Sequence, residues 1–190
     1  DYFNLSADLE TEFETFDIRG ADFEFDIRPN FDYVNLVGID YRAFSFFLSF
    51  TPNLAINNDQ DLRGQSKHTG FGMSFNTSKL LNHVATSFTE GFYMKNSGDF
   101  DSDFIEGITP NIQFPELKVT SFSGSHALKL NKNFSYGAFS AQMGRQLKSA
   151  GTLAPGISYN YYIPIFIFFC FDCFHCILFV VKASSFASIL

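Results

Sequence analysis

The sequence predicts an all-β protein built from antiparallel strands that follow one another along the chain. Three observations support this fold class. Apolar and polar side chains alternate at a period of two residues, helical periodicity is scarce, and turn-forming residues separate the alternating segments. About 8–9 such segments are present, which is typical of a meander, a sandwich or a barrel.

In the first half of the chain, five segments carry apolar side chains at every second position, with mostly acids, serines and glycines between them. The apolar positions are Phe3, Leu5, Ala7, Leu9 and Phe13; Phe23, Phe25 and Ile27; Val37, Ile39 and Tyr41; Phe44, Phe46, Leu48 and Phe50; and Phe71, Met73 and Phe75. A tight turn near residues 42–43 joins the third segment to the fourth. Each segment is therefore predicted to be a strand with one apolar and one polar face.

Four further strands are predicted in the second half of the chain. They cover Thr86–Met94, Leu117–Leu130, Phe134–Leu147 and Leu153–Tyr162. Turn-forming residues are concentrated at 28–30, 51–64, 95–104 and 148–151, where the chain is rich in proline, asparagine, aspartate, glycine and serine. Hairpin connections of this kind favour an up-and-down order of strands.

The strand predicted over Phe134–Leu147 bears on whether the protein is soluble or spans a membrane. It would extend roughly 45 Å at about 3.3 Å per residue. Soluble strands average about 5–6 residues, whereas a membrane-crossing strand needs about 9–11. Its apolar parity includes Phe139 and Met143, and its polar parity includes Gln142 and Gln146. The pattern favours a membrane β-barrel with its apolar rows toward lipid, although a soluble barrel with those rows turned inward has the same alternation.

Composition restricts the class of partner. Hydrophobic residues make up 46% of the chain and charged residues 17%, and the net charge is -7. Because no basic stripe is present, nucleic acid is not expected as a partner. The only cysteines are Cys170, Cys173 and Cys176, so residues 1–169 contain no disulfide framework, which fits an oxidising compartment.

The run FSYGAFSAQMGRQLKSAGT (134–152) resembles the signature of a Bacteroidota family, domain of unknown function 4421. The matching residues are Phe134, Ser135, Tyr136, Ala138, Phe139, Gln142, Arg145, Gln146, Lys148, Ser149, Ala150 and Gly151. The most specific part is the motif formed by Arg145, Gln146, Lys148, Ser149, Ala150 and Gly151. Residues 28–50, 90–96 and 114–119 are similar to further segments of the family. The resemblance covers roughly residues 1–162 and implies an outer-membrane β-barrel of unestablished activity.

The end of the chain departs from this family. After Tyr162 the family continues with alternating strands, whereas this chain continues with IPIFIFFCFDCFHCILFVV. We therefore expect two parts: an incomplete outer-membrane barrel over 1–162, and an aberrant hydrophobic tail over 163–190 produced by a frameshift or truncation. Helical geometry is plausible for the tail, because its first 19 residues contain a single charged side chain.

No catalytic residue, metal or cofactor is predicted. The Cys-x-x-Cys spacing of Cys170 and Cys173 suits a metal ion, but the chain has no second pair of cysteines elsewhere to complete a site. Ser125 and His126 are adjacent, and neighbouring strand residues point to opposite faces, so these two side chains cannot readily form a nucleophile–base pair.

The polar parity predicts a set of side chains that line the barrel lumen. They are Glu10, Glu12, Glu24, Asp40, Gln142, Gln146 and Lys148. In a narrow barrel such groups pair and fill the interior, and in a wider one they determine ion preference.

The expected function is a structural or passive-transport, porin-like role in the outer membrane. The expected partner is membrane lipid, including the lipopolysaccharide leaflet. One alternative is a soluble or periplasmic β-barrel that binds a lipid-like ligand, with Phe44, Phe46 and Phe50 turned inward. A second alternative is an outer-membrane lipid-modifying enzyme, which requires a serine, a histidine and an acid that converge near one rim.

Overall fold

A computed structural model describes residues 3–11, 15–21, 23–52, 59–131, 133–134, 151–168, 176–179 and 182–189. Over these residues the protein is all-β, as predicted, with helical structure confined to the short turns Gln60–Arg63 and Ser97–Asp99. The strands are β1 (Phe3–Glu10), β2 (Phe16–Arg19), β3 (Glu24–Arg28), β4 (Val34–Tyr41), β5 (Phe44–Phe50), β6 (Lys67–Asn76), β7 (Leu80–Met94), β8 (Gln113–Leu128), β9 (Pro155–Phe168), β10 (Cys176–Phe179) and β11 (Lys182–Ile189).

All the described strands belong to one antiparallel sheet. Its main path runs β1-β4-β5-β6-β7-β8-β9, and β10 and β11 pair with successive halves of β9. The β2–β3 hairpin lies off this path and attaches to the end of β7. No described pairing joins β1 to the opposite edge, so over the described residues the sheet is not closed. An incomplete barrel was the prediction, and the open antiparallel sheet is consistent with it.

Most strands agree with the prediction. The residues at which they begin and end differ where a turn or a neighbouring strand determines the end. Strand β7 begins six residues before the predicted Thr86, and the four-residue β2 was not predicted. Strand β9 runs without a break across the expected boundary between residues 162 and 163. Apart from Phe134, the strand predicted over Phe134–Leu147 lies outside the described residues.

The tail is not helical where the structure describes it. Residues up to Phe168 continue β9, and β10 and β11 pair back onto that strand. The segment is rich in phenylalanine, isoleucine and valine, which favour strands, and β9 offers an unpaired edge of backbone groups. This combination explains why the described residues of this apolar run form strands.

Strand register gives the seven long strands β1 and β4–β9 two distinct faces. The apolar rows pair with one another: Phe46 lies opposite both Ile39 and Met73, and Leu48 lies opposite both Val37 and Phe71. These rows form the outer face, and their side chains are exposed, for example 54% for Phe46. The remaining rows form the inner face. Phe44, Phe46 and Leu48 thus do not converge on a buried core; Phe139 and Met143 lie outside the described residues.

The buried core lies at one end of the inner face, under the β2–β3 hairpin, which we call the inner hairpin (Phe16–Arg28). Ile27 of this hairpin packs with Phe92, Leu117 and Val119. The ring of Phe16 meets that of Phe92 edge to face, with centroids 5.9 Å apart. The hairpin therefore covers apolar side chains that the strands alone would leave open at this end.

A change of register in β7 brings Phe92 into that core. The pairing of β7 with β8 shifts between Glu90 and Phe92, and the intervening Gly91 has φ +81°. The shift changes which residues of β7 face inward. Before it, the odd-numbered Thr89 contacts His68 of the inner face, and after it the even-numbered Phe92 is buried. Such irregularities redirect side chains and bend the strand.

Gly91→Ala is expected to destabilise the protein by about 1–3 kcal/mol or more. Positive φ is strained for alanine, and a Cβ atom at this position would also collide with the carbonyl oxygen of Gln65. Gly107 is a matched control, because its φ is +80° and nothing lies within 4 Å of its added Cβ. Equilibrium unfolding of Gly91→Ala and Gly107→Ala should show the larger loss for Gly91; equal losses would contradict the collision.

Candidate functional site

A cavity of about 680 Å³ occupies the inner face of the sheet. Side chains from β1 and from every strand between β4 and β9 line it, so it is a product of the whole sheet. One of its walls is Tyr162, whose ring also meets Phe16 of the inner hairpin edge to face at 6.5 Å. The cavity thus borders the buried core at one end.

Serine dominates the inner face. The seven strands β1 and β4–β9 contain nine serines, and strand alternation and register place every one on the inner face. They are Ser6, Ser45, Ser49, Ser74, Ser87, Ser121, Ser123, Ser125 and Ser158. Over these strands the outer face carries none, so the two faces differ sharply in chemistry.

Hydrogen bonds connect the polar side chains of the cavity wall. The hydroxyls of Ser87 and Ser121 are 2.6 Å apart, and Ser74 Oγ lies 3.0 Å from His83 Nδ1. Among the described residues, no buried side-chain nitrogen or oxygen lacks a hydrogen-bond partner. Satisfied groups of this kind make the polar wall compatible with a stable fold.

One set of contacts, from a serine to a histidine to a threonine, resembles the nucleophile and base of a hydrolase. Ser49 Oγ is 3.0 Å from His68 Nε2, and Thr89 Oγ1 is 3.0 Å from His68 Nδ1. Ser49 and Thr89 are both buried. In a hydrolase triad the third position is usually a carboxylate that stabilises the imidazolium, whereas here it is a hydroxyl. The sequence did not reveal this pair, because 19 residues separate Ser49 from His68 and only the β5–β6 register joins them.

Ser125 and His126 lie on opposite faces, as their adjacency predicts. Ser125 is paired with the inner-face residues His83 and Ser158. His126 lies on the outer face, where its Nδ1 is 3.0 Å from Asn82 Oδ1 and its Nε2 is 3.4 Å from the Tyr159 hydroxyl. These two residues do not form a catalytic pair in this geometry.

Charged residues mark one margin of the outer apolar rows. Glu90 lies opposite both Lys67 and Lys118, and Lys118 Nζ is 3.2 Å from the Glu90 carboxylate. Two residues before Glu90 in β7, on the same outer face, lies the exposed Phe88. The outer face therefore changes from apolar to charged within two residues of β7.

The sequence model of the family described as domain of unknown function (DUF4421) matches residues 1–163. The chain belongs to this family. Comparisons with curated proteins and with solved structures found no match. In this DUF4421 protein the matched region ends inside β9, so the last part of that strand and both β10 and β11 lie beyond it.

The lumen-lining residues predicted for this DUF4421 chain occupy different places. Glu10 lines the cavity. Asp40 lies on the inner face and accepts a hydrogen bond from Asn4 Nδ2 at 3.1 Å. Glu24 is instead part of the inner hairpin, where it forms an exposed 2.7 Å ion pair with Arg19. The others, Glu12, Gln142, Gln146 and Lys148, lie outside the described residues.

Most of the family motif also lies outside the described residues, namely Arg145, Gln146, Lys148, Ser149 and Ala150. Gly151 is described, and its carbonyl accepts a hydrogen bond of 2.7 Å from Asn131 Nδ2. In the inner hairpin, two hydrogen bonds from Arg28 to Asp26 raise the pKa of the guanidinium above its ordinary value. Arg28 therefore stays charged at neutral pH.

In the described part of the chain, no group of three or more His, Cys, Asp or Glu side chains is arranged to hold a metal ion. Of the three cysteines, Cys170 and Cys173 lie outside that part and Cys176 begins β10. Within the same part, no helix is both long enough and apolar enough to cross a membrane.

Proposed function

We propose that this protein is an outer-membrane β-barrel protein with a structural or passive-transport role, in which β1 and β4–β9 are the membrane-spanning strands. The observation that carries the proposal is the chemical difference between the two faces. All nine serines of these strands lie on the inner face, while phenylalanine, leucine, isoleucine and methionine lie exposed on the outer face. A barrel in lipid favours this arrangement, because acyl chains solvate apolar side chains and offer no hydrogen bonds to serine hydroxyls.

The dimensions of the outer face support the same conclusion. From the level of Leu80 to that of Phe88, the outer face extends about 27 Å along the strand at about 3.4 Å per residue. A tilt of about 40° reduces this to about 21 Å, close to the apolar band of about 25 Å in membrane barrels. Lys67, Glu90 and Lys118 then lie at the polar boundary.

The alternative of a soluble barrel that binds a lipid-like ligand has less support. It requires Phe44, Phe46 and Phe50 to face the cavity, whereas all three lie in the outer rows, with Phe44 and Phe46 46% and 54% exposed. An apolar surface that extends over seven strands is also unusual for a soluble monomer.

The proposal is tested by the partitioning of the full chain. After refolding into phosphatidylcholine vesicles, the protein should resist extraction by alkaline carbonate. It should also migrate differently on denaturing gels before and after boiling, because closed barrels resist detergent at room temperature. A protein that is monodisperse in buffer without detergent and is released fully by carbonate would contradict a membrane-spanning role.

We also propose that the Ser49–His68 pair is not catalytic. The backbone of Ser49 belongs to the β5–β6 ladder, so its amide is not part of an oxyanion hole, and Thr89 occupies the place of the acid. A fluorophosphonate probe is therefore expected to leave the full chain unlabelled under conditions that label a known serine hydrolase. Labelling that disappears in Ser49→Ala would show that Ser49 is a nucleophile.

A further inference from the structure

The described wall of the cavity carries little charge. Among its sixteen lining residues, Glu10 is the one carboxylate, and neither lysine nor arginine is present. Two further acids, Asp8 and Asp40, lie on the inner face of β1 and β4. Pores for anions use rings of arginine or lysine, and the described lining residues supply no such ring. A negatively charged solute would therefore meet the carboxylates of these acids.

Hydroxyl and amide groups are concentrated on the β7–β8–β9 side of the cavity. Ser87 lies opposite Ser121, and Ser123 lies opposite Asn160. A serine hydroxyl offers one donor and two acceptor positions, and an asparagine amide offers two of each. The 2.6 Å contact between Ser87 and Ser121 uses only part of the capacity of the Ser121 hydroxyl. This side can therefore both donate to and accept from a ligand that carries several hydroxyls.

An aromatic wall lies among the same lining residues. The ring of Phe47 stacks on the imidazole of His83, with centroids 5.3 Å apart and planes 3° apart. Gly72 makes room for it, because a Cβ atom there would collide with the Phe47 ring. Aromatic faces pack well against the C–H surface of a sugar ring, whose edge carries the hydroxyls.

From these three features we infer that the cavity binds a neutral polyhydroxylated solute, a sugar or polyol of mono- or disaccharide size. Its volume of about 680 Å³ falls within the range of about 300–1,000 Å³ found for small-molecule sites. The inference rests on the proposed function, since it names the class of solute for passive transport. Serine and asparagine satisfy the sugar hydroxyls, and Phe47 covers the apolar ring face.

The test uses the full chain in dodecylphosphocholine micelles and saturation-transfer difference NMR. Three probes are compared: glucose, glucuronate, which adds a carboxylate to the same ring, and decanoate as a lipid-like ligand. We expect saturation transfer to glucose and a response to glucuronate at least several-fold weaker. Stronger binding of decanoate or glucuronate than of glucose would overturn the assignment.

Serine variants test whether glucose binds at the β7–β8–β9 side of the cavity. The double variant Ser87→Ala/Ser121→Ala should weaken glucose binding about tenfold or more through the loss of two hydrogen-bonding groups. Thr120→Val is the matched control: it removes a hydroxyl next to Ser121 in the chain but on the outer face, so binding should be unchanged. Ser123→Ala is a second test should the double variant not fold, and it should also weaken binding. Glucose binding unaffected by the loss of these serines would overturn the assignment.

The outcome is separable from that of the proposed function. A chain that resists carbonate extraction but shows no saturation transfer to glucose would refute the solute class and leave the membrane role intact. A chain that stays soluble yet binds glucose through Ser121 and Ser123 would support the site and refute the membrane role.

Discussion

Leu48→Arg is expected to destabilise the membrane-inserted protein by about 2–4 kcal/mol, whereas Leu128→Arg is expected to cost about 0–1 kcal/mol. Both leucines lie on the outer face, and their exposed fractions are almost equal, 47% and 46%. The two leucines differ in their position along the strands, and therefore in their depth in the proposed membrane. Leu48 pairs with Val37 and Phe71 inside the apolar rows, whereas Leu128 pairs with Leu80 at the far margin.

The two costs differ because the free energy of placing a charge in lipid depends on its depth. Near the middle of the bilayer a guanidinium loses its hydration, whereas at the margin it reaches the headgroups. In water the two substitutions would be equivalent changes at exposed positions, each within about 0.5 kcal/mol. Chemical unfolding of both variants in phosphatidylcholine vesicles gives the two free energies. Equal, small costs at the two positions would contradict a lipid-facing outer surface.

Phe92→Ala is expected to cost about 3–5 kcal/mol. Phe92 is only 2% exposed and packs with Ile27, Leu117 and Val119 beneath the inner hairpin. Its truncation leaves a cavity that the surrounding strands cannot fill, because their backbones are held by the ladder hydrogen bonds of β7 and β8. The loss should appear in the equilibrium unfolding of the full chain.

Phe88→Ala is the matched control for this prediction. Phe88 is in the same strand, four residues earlier, but it is 50% exposed on the outer face. Its removal creates no enclosed cavity, so the cost should be several-fold smaller. If the two variants lose the same free energy, the end of the inner face is not a packed core.

The strands and the two faces of the sheet were predictable from the sequence. Alternation is a local property: successive side chains of a strand point to opposite faces, so residues two apart share a face whatever the partner strand. For this reason, the alternation in β5 predicts both an apolar row with Phe44, Phe46 and Leu48 and a polar row with Ser45 and Ser49. The separation of Ser125 from His126 follows from the same rule.

Other features depended on neighbours that the sequence pattern does not identify. Strand β2 has four residues and forms only because β3 pairs with it and the core lies beneath. Glu24 had been predicted to line the lumen from its parity alone. It belongs instead to the inner hairpin, where Arg19 is its partner. Helical geometry was one expectation for the tail, but where described the tail forms strands on the edge of β9.

By itself, then, the sequence determined the all-β class, the family and the polar or apolar character of each row. The tertiary structure decided which distant residues meet. Ser49 reaches His68 and Ser87 reaches Ser121 only through strand register. The shift at Gly91 turns Phe92 into the core. The reason is that side-chain alternation arises within one strand, whereas register arises from hydrogen bonds between strands far apart in the chain.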